Sequence, residues 1–172
     1  MGEALGCTAF NALYGNRVEG VSATEQDDVG AENLAIAARA AARIGGTVLV
    51  EPVSGAEHYP LLTAADALTV IDRAGEPNIG LLADLYHLSV NGDDVDRVIA
   101  DHLARIAHVQ IADAPGRNEP GTGDLPLMGQ LAALEAGGYT GWVGPEYKPS
   151  TTSADSFGWL PRERCTSTAV AN

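Results

Sequence analysis

Four polar residues, Glu51, Asp84, Gln110 and Glu146, each close a short apolar run. The runs are Thr47-Val-Leu-Val, Ile79-Gly-Leu-Leu-Ala, His108-Val and Gly141-Trp-Val-Gly-Pro. The four residues lie 33, 26 and 36 positions apart, and a parallel strand–helix–strand unit takes roughly 30 residues or more. Successive parallel strands would therefore carry one oxygen-bearing side chain each to the same end of a sheet. That end is where (β/α) barrels keep their active sites. Taken singly, each residue has an ordinary use: Asp84 would cap a helix, and Gln110 would satisfy backbone groups. In register, three carboxylates and an amide would repel one another unless a hard cation held them.

The segments between the runs read as helices. Ser22-Ala-Thr-Glu25 has the spelling of a capping box, and an Ala-rich helix follows from about Ala31 to Arg43, ended by Gly45-Gly46. Thr63 opens a second helix to about Arg73, with Ala64, Ala67, Leu68 and Ile71 on one face. Asp93 or Asp94 caps a third, with Val95, Val98, Ile99 and Leu103 at similar spacing, and Leu125 to Glu135 forms a fourth. Five strands are expected: Cys7–Leu13, Thr47–Val53, Ile79–Ala83, Ala107–Ala112 and Gly141–Pro145. They are apolar without an exposed face, as parallel strands covered by helices are. The alternation predicts an α/β fold. A period of two puts Leu49 with Glu51, Leu82 with Asp84, His108 with Gln110, and Gly144 with Glu146 on shared faces.

The chain has 172 residues, enough for one domain with a real core. Ten Lys and Arg against 23 Asp and Glu give a net charge of −13, with no basic stripe to bind nucleic acid. No apolar run approaches the roughly 20 residues that span a membrane. The opening Met1–Cys7 has neither the basic nor the apolar region of a leader, and Cys7 and Cys165 read as reduced thiols, so the expectation is a cytoplasmic protein. The residues from Arg162 onward read as a frayed tail, giving a barrel segment over 1–160 and a flexible end over 161–172.

Several segments together carry a family resemblance. Glu51-Pro52, Asp84-Leu-Tyr-His87, His108-Val-Gln-Ile-Ala-Asp113, Gly116-Arg117 with Glu119-Pro-Gly-Thr-Gly123, and Gly141-Trp-Val-Gly-Pro-Glu146-Tyr147 resemble hydroxypyruvate isomerases, which belong to the xylose-isomerase-like barrels. Asn11-Ala-Leu-Tyr-Gly-Asn-Arg17 resembles that family's fourth-strand motif, so the chain reads as a partial (β/α)8 barrel of about five strands, lacking three β–α units of roughly 80 residues. The resemblance implies that Glu51, Asp84, Gln110 and Glu146 bind a divalent metal, and that Glu51 and Glu146 are the acid/base pair. It places His87 and Arg117 at the substrate's polar end, and Glu57 where epimerase relatives hold a further substrate-contacting acid. An all-oxygen site suits Mg²⁺ or Mn²⁺, and Arg117 offers a fork for a carboxylate. The implied reaction interconverts hydroxypyruvate and tartronate semialdehyde through an enediolate. The alternatives are a ketose 3-epimerase or isomerase of the same superfamily, against which Gln110 argues because those relatives usually carry a His there, and an inactive remnant or interaction module. An endonuclease of this barrel type would need more His ligands and a basic face. The partners expected are a small-molecule substrate and, for the open barrel, a second copy or a complementing N-terminal chain. Of the other residues, His108 reads as a core group below Gln110, and His58 and His102 as surface.

Overall fold

The computed structural model describes residues 2–161. After a single helical turn (α1, Gly2–Leu5), strands and helices alternate: β1 (Ala9–Asn11), α2 (Ala23–Ala42), β2 (Thr47–Val50), α3 (Ala64–Ala74), β3 (Ile79–Asp84), α4 (Leu85–Val90), α5 (Val95–His102), β4 (Ile106–Ile111), α6 (Leu127–Ala136) and β5 (Val143–Pro145). The five strands form one parallel sheet in chain order. This is the expected segment of a TIM barrel, with β1 and β5 at its two edges. The tail from Arg162, with Cys165, lies outside the described residues.

Helix starts follow the chemistry of their caps. Ser22 Oγ accepts the Glu25 N–H while Glu25 accepts the Ser22 N–H, so α2 begins at Ala23, eight residues before the expected start. Thr63 and Asp66 make the same reciprocal pair at α3, and Gly75, with φ of 70°, ends that helix in the left-handed region. Asp94 caps α5. Helix α6 starts at Leu127, two residues later than expected, just after Pro126, whose ring disfavours helical backbone at the preceding Leu125. Asp84 caps a helix, as one reading of it expects, and that helix is α4. Its six residues are too few to show a helical period, and only the cap at Asp84 marks it.

The sheet has two apolar faces. Val48, Val50, Leu81, Ala83, Val109 and Ile111 pack with Leu34, Ala38, Leu68, Ile71, Val98, Ile99 and Leu134 of the helices. Leu49 and Leu82 occupy the opposite face and are also buried. No helix of the described residues is long and apolar enough to cross a membrane.

One irregularity sets the sheet's chemistry. Leu81 pairs with Ile106, but Leu82 pairs with His108, so Ala107 is an extra residue in β4. The bulge lets Ile106 join Leu81 in the helix-facing core while His108 and Gln110 share a face with Leu82 and Asp84. Gly80 makes room for it, since a Cβ there would lie 2.5 Å from the Ala107 Cβ. Gly80→Ala is expected to destabilise the chain by about 1–3 kcal/mol through overpacking. Adding Ala107→Gly should recover part of that loss. Urea unfolding of the single and double variants is the check, and a G80A protein as stable as the parent would show that the bulge tolerates a methyl group.

Candidate metal and acid/base centre

The strand ends bring the candidate residues together. Glu51 follows β2 directly, Asp84 ends β3, Gln110 lies opposite it in β4, and Glu146 follows β5. Glu146 is fixed in register by its N–H, which donates to the Ile111 carbonyl at 3.0 Å. One ligand atom each from Glu51, Asp84, His87 and Glu146 falls within 4.8 Å of all the others. Glu51, Asp84 and His87 are buried, whereas the Glu146 side chain is 47% exposed. Glu57 is not in this group; it sits exposed in the turn after β2.

Each member is oriented by a neighbour. The Asn11 amide, at the end of β1, donates to Glu51 Oε2 at 2.7 Å. Tyr59 Oη donates to the Glu51 carbonyl at 2.9 Å and accepts the Tyr14 N–H. Asp84 Oδ1 caps α4 by accepting the Tyr86 and His87 N–H groups, which leaves Oδ2 for the site. His87 Nδ1 accepts the backbone N–H of Ser54 at 3.0 Å and lies 2.6 Å from its hydroxyl. A backbone N–H can only donate, so the neutral ring carries its proton on Nε2, 3.6 Å from Asp84 Oδ2. In that tautomer His87 is a donor at the site rather than a metal ligand.

Crowding and burial favour the uncharged forms of these acids. Burial raises Glu51 to about 7 against the Asn11 hydrogen bond, with Asp84 and Glu146 pushing the same way as burial. Burial also raises Asp84, despite the His87 and Tyr86 N–H groups and Arg117. Glu146 is raised by burial, which outweighs Arg117 and is helped by the nearby Asp84. Burial, then Arg117, lowers His87 to about 4.

Arg117 is the counter-charge. Its Nη2 lies 2.7 Å from Glu146 Oε2 and 3.5 Å from Asp84 Oδ2, and the guanidinium sits 5.3 Å from the Tyr86 ring centre. It comes from the loop between β4 and α6, which Asp113 organises. Burial opposes ionisation of Asp113, but the N–H groups of Gly123, Leu125, Gly121 and Ala114 outweigh it and hold the carboxyl below its usual range. Glu119 then ties the loop to the chain beyond Glu146 by accepting the N–H and hydroxyl of Ser150.

The donor set fits a hard cation. Gln110 Oε1 is buried and, among the described residues, accepts no hydrogen bond. Such an acceptor costs free energy unless something positive meets it. Gln110 lies in register opposite Asp84, whose carboxyl clusters with those of Glu51 and Glu146, and no cysteine is in that cluster. An all-oxygen set of this kind matches magnesium or manganese chemistry.

Comparison with known proteins agrees with the fold. The profile of the xylose isomerase-like TIM barrel family matches residues 1–163, and the chain belongs to that family. It is 56% identical over 165 residues to a Streptomyces coelicolor protein provisionally named hydroxypyruvate isomerase, covering 92% of this chain and 59% of the relative. It is 37% identical over 131 residues to a 2-oxo-tetronate isomerase of Cupriavidus necator, covering 75% and 50% respectively. Its fold superposes with a TM-score of 0.87 on a Brucella melitensis protein described as a family 2 AP endonuclease, at 33% identity, over 92% of this chain and 62% of that one. The chain thus spans between half and two thirds of the length of each.

Of the residues expected from the sequence, the structure brings Glu51, Asp84, His87, Arg117 and Glu146 together, with Gln110 in register opposite Asp84; sequence reasoning missed Asn11 and Ser54. Asn11 obeys the same strand-end rule as the others; the expected first strand ran on to Leu13 and hid its end. Ser54 acts through its backbone N–H, which any residue but proline would supply. The His87 geometry has a direct check: its ring should stay neutral from pH 8 to about 5, with the proton on Nε2, and titrate near 4. Long-range ¹H–¹⁵N spectra of the imidazole report both, and an Nδ1–H tautomer would contradict the assignment.

Proposed function

We propose that this chain carries the metal-binding and proton-transferring part of an isomerase that interconverts hydroxypyruvate and tartronate semialdehyde. The observation that carries the proposal is the convergence of Glu51, Asp84 and Glu146, with Gln110 in register opposite Asp84 and its Oε1 buried without a partner among the described residues. In this reading Glu51, Asp84, Gln110 and Glu146 hold Mg²⁺ or Mn²⁺, which when bound supplies positive charge for the two substrate oxygens.

The chain's own groups do the rest. Moving the carbonyl from C2 to C3 removes a proton from C3 and one from its hydroxyl, passes through an enediolate, and returns one proton to C2 and one to the C2 oxygen. Glu51 and Glu146 stand on either side of Asp84 and serve as the pair that takes and returns the carbon-bound proton. Burial poises Glu51 near neutrality, where a carboxyl both accepts and releases protons readily. His87 presents Nε2–H to a substrate oxygen, and Arg117 pairs with the substrate carboxylate. The 2-oxo-tetronate isomerase among the relatives supports a second substrate, a four-carbon 2-oxo acid with the same carboxylate. The net charge of −13 argues against nucleic acid. With five strands, the substrate is walled on one side, and three further β–α units at the β1 and β5 edges would complete the pocket.

Two outcomes test the proposal. A closed barrel, made by joining this chain to the first three β–α units of the Streptomyces relative, should turn over hydroxypyruvate only with Mg²⁺ or Mn²⁺. Glu146→Gln in that barrel should lower kcat by about 10²–10⁴-fold while substrate binding partly survives. Turnover that ignores a chelator or this substitution would refute the reading. Metal affinity should also depend on pH. A cation needs the carboxylate form, and Glu51 keeps its proton up to about 7, so Mn²⁺ affinity should rise steadily from pH 6 to 8. Calorimetric titration at several pH values measures this, and a flat profile would exclude Glu51 as a ligand.

A further inference from the structure

Arg117 is anchored to the cluster of acids at both ends. Its backbone has φ of 56°, a region that side chains other than glycine seldom enter. Its carbonyl accepts the Lys148 N–H at 2.8 Å, and its Nε donates to the Glu146 carbonyl at 3.3 Å. The Asp113 carboxylate and the Glu119–Ser150 tie fix the loop on either side of it. The protein thus spends considerable structure on holding one guanidinium against Asp84 and Glu146, two of the groups a cation would need.

Guanidinium and divalent cation cannot both be comfortable there. Among the described residues, Arg117 is the one arginine or lysine that reaches the Asp84 and Glu146 carboxyls. A second cation on those oxygens would be repelled by it at short range and in partly buried surroundings. Glu146 and Arg117 are the exposed members of the group, with side chains 47% and 30% exposed, so they have room to part. Tyr86 gives the guanidinium an aromatic face to rest on once it lets go.

We propose that Arg117 is a resident counter-ion, which leaves Asp84 and Glu146 when a divalent cation takes their oxygens and then becomes the receptor for the carboxylate of the substrate. This rests on the metal-dependent reading given above and adds an order to it: cation first, acid second. It also gives the site a preference for acids over neutral ketoses, because a neutral sugar offers the released fork only uncharged oxygens, whereas a carboxylate pairs with it through charge-assisted hydrogen bonds. Cation and acid then strengthen each other's binding, as linkage requires.

The test is the Mn²⁺ affinity of the chain and of R117Q by calorimetry, with thermal melts alongside. If Arg117 competes with the cation, R117Q binds Mn²⁺ about tenfold more tightly than the parent. It also melts lower without metal and gains more on metal addition. R117K, which keeps the charge, should stay near the parent value. Equal or weaker Mn²⁺ binding by a folded R117Q overturns the proposal. A second measurement needs no folded R117Q: the Arg117 Nε–H resonance of the parent, assigned by its loss in R117K. It should shift as Mg²⁺ fills the site and shift again on adding malonate, a simple dicarboxylate; a signal that ignores Mg²⁺ overturns the proposal. If the parent binds no divalent cation at all, the metal reading fails first, and that result is read from the parent alone.

Discussion

Acidic groups at the ends of three parallel strands are forced to within a few ångströms of one another, and their repulsion is the constraint around which the site is arranged. Backbone registry sets the closeness: Glu51 and Glu146 each stand one residue past a strand, and Asp84 ends its own. Burial makes ionisation costly there. The protein answers with hydrogen bonds from Asn11 and the start of α4, and with the single guanidinium of Arg117. Those responses recruit structure far from the acids, including the whole loop organised by Asp113.

The bulge at Ala107 shows how this depends on the sheet. A strand that alternates strictly from Ile106 onward would have to choose between packing Ile106 on the helices and presenting Gln110 beside Asp84. The extra residue allows both, and Gly80 is the space it needs. Core packing and site chemistry are therefore joined at one pair of small residues on the neighbouring strands.

Much of this was legible in the sequence, for reasons that are local. Strand-end polar residues, capping boxes and the β–α rhythm are written in consecutive residues, so Glu51, Asp84, Gln110 and Glu146 and the parallel order of the sheet could be read directly. Asn11 escaped because a strand's end is poorly defined when apolar residues such as Ala12 and Leu13 continue beyond it. The bulge escaped because register is a relation between two strands, and nothing in Ile106-Ala-His alone reports it. The role of Asp113 escaped because its partners are backbone N–H groups spread over the loop from Ala114 to Leu125, which leave no side-chain signature. Motif resemblance brought Arg117 forward as a substrate contact. Its pairing with Asp84 and Glu146 belongs to the folded geometry alone.

The helix cap at Asp84 bears on ion selectivity. Because Oδ1 is committed to the N–H groups of Tyr86 and His87, this carboxylate has only Oδ2 to give. Gln110 likewise offers one oxygen. Calcium fills a shell of six to eight oxygens and often takes both atoms of a carboxylate, whereas magnesium keeps strict sixfold geometry with single oxygens and water. In the proposed metal-binding reading, the Asp84 carboxylate that caps a six-residue helix would thereby have its own denticity set, and the site would tilt toward the smaller ion.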